Sequence, residues 1–369
     1  MKFSCSKDQL VHAVQVVQKA VSNKPQMPIL SGIYINATTQ YIEIQATDYE
    51  IGISCKLEGT VTEPGAIVLS GRYFQEVVKR LPGDNIEIYT NKEDNTVKLT
   101  SLSSQFNLLS LPAEEFPVLY PLVGETNFII RDNILRDLIK KTVFAASNDE
   151  ARPVFTGALL EVVDSEVLMV ATNTHRLALK RETLDSITNN IKVIIPSKIL
   201  NELARIMVSE IPSPIKITCH HNQISFSFDN IYIISRIIDG QFPDYQRVIP
   251  PNFATKVEIK TADFSSAVER VSLISRDGDY NVVKLAFKNN EILITSNNPE
   301  VGKAEESIQA KIEGNDLEIA FNAKYIVDIL KNIDDENILF TLNTPLSPAS
   351  IKPQNDENYN YIITPVRSN

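Results

Sequence analysis

The stretch Pro196-Ser-Lys-Ile-Leu-Asn-Glu-Leu-Ala-Arg-Ile-Met207 follows the apolar run Val193-Ile194-Ile195 and recurs twice at one distance. Upstream stands Ser70-Gly-Arg-Tyr-Phe-Gln-Glu-Val-Val-Lys-Arg-Leu81, after Ile67-Val68-Leu69. Downstream stands Asn322-Ala-Lys-Tyr-Ile-Val-Asp-Ile-Leu-Lys-Asn-Ile333, after Ile319-Ala320-Phe321. Both offsets, 196 − 70 and 322 − 196, equal 126. Residue classes match by column: Arg72, Lys198, Lys324; Phe74, Leu200, Ile326; Glu76, Glu202, Asp328; Leu81, Met207, Ile333. Each copy predicts a short strand, a cap or first-turn residue (Ser70, Pro196, Asn322), then an amphipathic helix with apolar residues three and four apart.

Length agrees with three repeats. At 369 residues the chain exceeds one hydrophobic core, and a third of it is a common domain size. With 43% hydrophobic and 22% charged residues the composition is that of a folded globular protein. No run of 18 apolar residues exists, so no membrane span is expected, and the N-terminus has no apolar signal core. Three scattered cysteines, Cys5, Cys55 and Cys219, suit reduced thiols in a cytoplasm.

Each repeat opens with a strand and a helix: Phe3 to Ala20, Phe128 to Ala146 and Val257 to Ile274. Apolar positions on the helices are Leu10, Ala13, Val14, Val17; then Leu135, Leu138, Ile139; then Phe264, Ala267, Val268, Val271. Alternating runs between the two helices, at Tyr41–Ala46, Val167–Ala171 and Ile292–Ser296, predict strands. They lead into Thr47-Asp48, Thr172-Asn173 and Asn297-Asn298. Further alternation at Ile86–Tyr89, Ile215–Thr218 and Ile338–Thr341 follows the second helix. The expectation is an α+β fold of two helices and roughly eight strands, three times over. Proline-punctuated connectors after Phe116-Pro117 and Phe242-Pro243 put the domains at 1–124, 125–251 and 252–369.

The net charge of −10 argues against a surface that coats DNA everywhere. The helices differ from the average. Counted over 7–20, 72–81, 131–142, 197–207, 261–270 and 324–333 they carry +1, +2, +2, +1, −1 and +1. Together that is +6, leaving −16 for the rest of the chain. Helices facing one way would make one basic and one acidic face; ordinary solvated helix faces explain the charges equally well.

Ala171-Thr-Asn-Thr-His-Arg-Leu-Ala-Leu179, Phe242-Pro-Asp-Tyr245, Ser296-Asn-Asn-Pro-Glu300 and the terminal Tyr361-Ile-Ile-Thr-Pro-Val-Arg367, with the three repeats, make the whole chain resemble the bacterial DNA polymerase III beta sliding clamp family. The resemblance implies a head-to-tail homodimer closing into a ring, with helices inside and duplex DNA in the hole. It implies a non-catalytic processivity factor without cofactor or metal. Its partners would be the replicative polymerase, the clamp loader and other proteins with clamp-binding peptides. Basic helices facing phosphates give attraction without sequence specificity, which suits sliding.

The family's peptide groove, carried over, takes Phe155, Thr172, Thr174, His175, Arg176 and Leu177, with Pro243, Arg247 and Val248 from the connector. Leu346 and the tail Ile362, Ile363, Thr364, Pro365, Val366 and Arg367 complete it. The family commonly has Asp-Gly at Asn173-Thr174, and the tail here runs on to Ser368-Asn369. The dimer interface carries over to Phe106 and Leu108 at one end, and to Leu273, Ile274, Glu300, Glu305 and Glu306 at the other. Phe74, Ser103 and Gln105 stand where the family commonly has basic interface residues. Lys24, Arg72, Arg152, Lys198 and Lys324 are the DNA-facing candidates.

Cys219-His220-His221 could suggest a metal, but consecutive strand residues point to opposite faces and no second ligand set has zinc spacing. No nucleophile elbow, phosphate loop or HExxH motif occurs. Two rivals remain on sequence alone: an enzyme with a cleft around Thr172, His175 and Arg176, and an interaction scaffold that forms no ring.

Overall fold

The computed structural model describes residues 1–22, 27–91, 94–124, 126–186, 189–208, 211–275 and 281–367. These residues contain six α-helices: α1 (Lys7–Val17), α2 (Gly71–Arg80), α3 (Asp132–Thr142), α4 (Ser197–Ile206), α5 (Thr261–Val271) and α6 (Ala323–Leu330). Nine, eight and nine strands accompany successive helix pairs, against about eight expected.

The repeated helix obeys its pattern. Phe74, Leu200 and Ile326 are each 0% exposed, worth about 1.5–3 kcal/mol apiece against a solvated side chain. Leu81, Met207 and Ile333 are buried, while Arg72, Lys198 and Lys324 are exposed. Details depart from the sequence reading. Pro196 ends the strand Ile191–Pro196 and Ser197 starts α4, so the proline is not in the helix. Ser70 makes no side-chain cap, whereas Asn322 Oδ1 accepts from Lys324 N at 2.9 Å. α6 stops at Leu330, three residues short of the predicted end, and Lys331-Asn332 form a turn. Phe74 also corrects an expectation: a side chain with no exposure is core and cannot stand at an interface charge position.

The chain divides into two compact units, Met1–Asp132 with Arg205–Ile237, and Asn133–Ala204 with Ile238–Asn369. The first holds one 13-stranded sheet. Within it the last strand of the second repeat, Ile231–Arg236, runs antiparallel to Ile51–Leu57 of the first, with Ile233 opposite Ile53. α1 packs against the strands Ile42–Thr47 and Ile51–Leu57 and against α2.

The second unit holds a nine-stranded and a four-stranded sheet. Here the last strand of the third repeat, Tyr359–Ile363, runs antiparallel to Arg176–Thr183 of the second, with Ala178 opposite Tyr361. The same pairing is thus made twice, each time between counterpart strands of successive repeats. α5 and α6 pack together, and the aromatic cluster Phe264, Phe287, Phe321 and Phe340 fills that core.

Two counterpart strands lack this pairing. Gly302–Gln309, third-repeat equivalent of Ile51–Leu57 and Arg176–Thr183, is an edge strand of the four-stranded sheet, bonded among the described residues only to Glu291–Asn298. Ser104–Leu111, first-repeat equivalent of Ile231–Arg236 and Tyr359–Ile363, meets Gly65–Ser70 only at Ser110 and Leu111. Its other side is paired along its length with Thr96–Ser101. Among the described residues the backbone edge over 104–109 is therefore open.

Candidate functional site

The turn after the strand Glu166–Thr172 is built by its own side chains. Asn173 Oδ1 accepts from His175 N at 3.1 Å and Arg176 N at 3.0 Å. Thr172 Oγ1 donates to Arg176 O at 2.7 Å and accepts from Thr174 N at 3.1 Å. Such bonds are why Asx and Ser/Thr residues favour turns. They force Thr174 to φ +76°, a left-handed conformation that opposes a β-branched side chain. The first repeat has the same turn: Asp48 Oδ1 accepts from Glu50 N and Ile51 N, and Tyr49 sits at φ +73°.

The turn presents His175 and Thr174 to solvent and sends Leu177 inward. Leu177 joins an apolar cluster with Leu159, Leu179, Ile194, Phe242, Tyr245 and Ile362, flanked by Val154 and Ile249. Around this floor stand half-buried Phe155 and exposed Pro243 and Val248. The C-terminal segment is tied down beside it: Thr364 N and Oγ1 both donate to His175 O, at 2.9 and 2.8 Å. Val366 N donates to Ala320 O at 2.8 Å, which spans from the nine-stranded sheet to the four-stranded one. Pro365 and Val366 are half-buried and Arg367 exposed. Leu346, 67% exposed, lies on the loop before the strand Ala349–Pro353. Ser368 and Asn369 lie outside the described residues.

Two predicted groove residues serve elsewhere. Ile363 is 0% exposed and alternates with Ile362, so strand geometry turns it from the Leu177 cluster into the core. Arg176 is 7% exposed, and its guanidinium points to the helices. Nη1 bonds Asp328 Oδ2 at 2.6 Å, Nη2 donates to Phe144 O at 2.5 Å, and the plane stacks on the rings of Tyr325 and Phe144. A buried cation needs such partners. Arg176 thus braces the turn through its main chain and is not a free anchor for a ligand. Arg247 is exposed and paired with Asp244 at 2.8 Å.

Tyr325 was missed by the sequence reading. It takes the fourth position of the repeated stretch, stacks on Arg176, and bonds through its hydroxyl to Asn173 Nδ2 at 3.4 Å. Tyr73 occupies the same column in the first repeat, which could have flagged it.

Of the DNA-facing candidates, Arg72, Lys198 and Lys324 are exposed near the starts of their helices. Arg152 is exposed and bound to Asp149, Nε to Oδ2 at 3.3 Å. Lys24 lies outside the described residues. At the candidate interfaces Phe106 is 42% and Leu273 57% exposed, large apolar surfaces lacking cover in one chain, while Leu108 and Ile274 are half-buried. Glu300 and Glu305 are exposed. Glu306, expected as an acceptor for a second chain, is gripped by Arg270 of α5, Nε to Oε2 at 2.9 Å and Nη2 to Oε1 at 2.5 Å. That bond holds its carboxyl below the usual range.

His220 and His221 touch, ring centroids 4.1 Å apart, because His221 has left the strand at φ +49°. Among the described residues no group of three or more His, Cys, Asp or Glu could hold a metal ion, and no helix is long and apolar enough to cross a membrane.

Three family models describe domains of the DNA polymerase III beta subunit and match nearly all of this sequence. The N-terminal domain matches residues 1–120, the central domain 129–244 and the C-terminal domain 246–367. The beta sliding clamp of Staphylococcus epidermidis is 35% identical over 377 residues, covering 100% of each chain. The DNA polymerase sliding clamp of Bacillus subtilis has a crystal structure similar to this one at a TM-score of 0.95, with 38% identity and 100% of both chains covered. The DNA polymerase III subunit beta of Pseudomonas aeruginosa gives a TM-score of 0.93 at 30% identity, again over 100% of both chains. With three clamp domains of mixed helix and strand matched in order, the chain belongs to the DNA polymerase III beta subunit family, the bacterial beta sliding clamps.

Proposed function

We propose that two copies of this chain pair head to tail into a closed ring that encircles duplex DNA, slides on it, and tethers the replicative polymerase. The ring is a non-catalytic processivity factor of the cytoplasm and uses no cofactor. Its three clamp domains are residues 1–124, 125–251 and 252–369.

The observation that carries this reading is the pair of open edges. Counterpart strands of successive repeats pair twice within one chain. The two strands left without that pairing, Gly302–Gln309 and Ser104–Leu111, are the halves of a third such junction. Joining them within one chain would close three repeats; joining them between chains closes six. Different edges meeting head to tail close into a ring when the rotation allows it. Phe106 and Leu108 would then be covered together with Leu273 and Ile274. Glu300 and Glu305 are exposed and add little, since exposed ion pairs contribute about 0–1 kcal/mol. Apolar contact and strand pairing hold the interface.

DNA lies against Arg72, Lys198, Lys324, Arg152 and Lys24, touching phosphates without reading bases. The groove over Leu177 and Ile362, walled by Phe155, Thr172, Thr174, His175, Pro243, Val248, Leu346 and the tail, takes a short linear peptide by an apolar side chain. Clamp loader and polymerase compete for it.

The junction pattern predicts the register across the interface. Ile233 opposite Ile53 and Ala178 opposite Tyr361 map, by the hairpin registers of each repeat, to Ala304 opposite Phe106 of the second chain. Ala304→Cys combined with Phe106→Cys should therefore crosslink head to tail under mild oxidation, since directly opposed strand residues lie about 4.5–5.5 Å apart. Dimers that survive denaturing, non-reducing electrophoresis are expected. Monomers only, from a protein that also sediments as a monomer at micromolar concentration, would refute the pairing.

A further inference from the structure

The two junctions between successive repeats share a frame but not a floor. Beside the turn at Thr172–Leu177 the sheet presents Leu168, Val170, Leu177 and Leu179, all members of one apolar cluster. Their counterparts 125 residues earlier, in the same strand register, are Glu43, Gln45, Gly52 and Ser54. The place of Leu177 is filled from the connector: a Cβ on Gly52 would meet Leu119 Cδ2 at 2.6 Å. Buried Gln45 straps that connector down, accepting from Leu119 N at 2.8 Å and donating to Leu119 O at 3.3 Å. An apolar peptide side chain therefore finds no room over Gly52.

Beside Leu119 the same sheet face leaves a cavity of about 240 Å³, walled by Leu119, Pro121 and Leu122 and reached by Glu43, Ser54 and Thr218. Small-molecule pockets run to roughly 300–1,000 Å³, so this one suits a single long side chain. Glu43 is half-buried; its carboxylate accepts from Ser54 Oγ at 2.6 Å and has no ion pair among the described residues. Lys56 stands directly across on the next strand, but its ammonium lies over the Tyr41 ring, 4.6 Å from the centroid. Thr218 lines the cavity at 7% exposure, and its hydroxyl makes no hydrogen bond among the described residues. Lys216 and Asp229, both exposed, add one charge of each sign at the rim. Buried oxygens are normally hydrogen-bonded, so the carboxylate and the hydroxyl together call for a cationic donor.

We propose that this cavity receives the arginine side chain of a linear peptide. The guanidinium donates to the Glu43 carboxylate and to Thr218 Oγ1, which one planar fork of donors serves together. The methylene stem lies against Leu119, Pro121 and Leu122. The site rests neither on ring closure nor on the groove at the other junction, which takes an apolar side chain.

Isothermal titration of the full chain with acetyl-arginine amide, against its neutral isostere acetyl-citrulline amide, tests it. Saturable binding of one arginine amide per chain is expected, with the citrulline amide roughly tenfold weaker for want of the charge-assisted bond. Glu43→Gln should weaken the arginine amide roughly tenfold and Glu43→Asp less. Thr218→Val, which keeps the shape, should weaken it about threefold. Glu318→Gln, an exposed carboxylate on another sheet, should change nothing. Circular dichroism confirms that each variant is folded. Absence of saturable binding, equal affinity for the two amides, or full affinity in Glu43→Gln overturns the proposal. Polymerase-peptide binding and retention on circular DNA are separate measurements, so failure here leaves both readings standing.

Discussion

At the residue scale the sharpest conflict is Thr174. Its side-chain-built turn holds it at φ +76°, where a non-glycine residue costs about 1–2 kcal/mol and a β-branched one has no relief. Thr174→Gly removes that cost but adds unfolded-chain entropy of about 0.4–1 kcal/mol. The net gain is about 0.5–1 kcal/mol, so the variant's thermal midpoint should rise by about 1–3 °C. A fall would mean that the hydroxyl makes a contact the strain only partly offsets. The cysteines give a second test. Burial disfavours the thiolate and pushes Cys5 and Cys55 up to about 12 and Cys219 to about 11. At pH 8 the thiolate fraction of Cys5 and Cys55 is then on the order of a thousandfold below that of a free cysteine. A thiol-reactive disulfide reagent should leave both unlabelled in the native protein and label all three cysteines after denaturation. Rapid native labelling at pH 8 would show that these strands open readily. The residue scale was also where sequence was least informative. Arg176 carries a polar name in a polar motif, yet its charge belongs to Asp328, 152 residues away, and no local spacing reveals such a partner.

At the element scale the sequence was most legible, because periodicity is a local property. The columns Phe74, Leu200, Ile326 and Leu81, Met207, Ile333 are buried as the 3.6-residue period requires. Exceptions fall at ends, where capping geometry decides: Asn322 caps α6, Ser70 does not cap α2, and α6 stops early. Alternation also separates Ile362, in the Leu177 cluster, from Ile363, on the opposite face of the strand. The tail is tied down at two points. Thr364 fastens it to His175, and Val366 fastens it to Ala320. Deleting residues 365–369 removes the second tie and the half-buried Pro365 and Val366, leaving Thr364 in place. Binding of a leucine- or phenylalanine-containing polymerase peptide, followed by fluorescence anisotropy, should be abolished. Unchanged affinity would remove the tail from the groove.

For the whole molecule, repetition matters more than any single site. Two junctions made within one chain and two open edges of the same lineage are a pattern that composition could not supply. Helix charge alone leaves solvated faces as good an explanation, and a net charge of −10 argues against a surface that coats DNA everywhere. The strand edges became visible only with the pairings, since a sequence does not say which side of a strand is covered. In the proposed ring, retention is topological: weak phosphate contacts suffice, because the duplex cannot leave a closed circle sideways. The most direct test loads the protein with a clamp loader and ATP onto a nicked circular duplex, isolates the complex, and then cuts the circle once. The account predicts stable retention on the intact circle and rapid release after linearisation, at the same salt concentration. Equal retention on circle and linear product would contradict it.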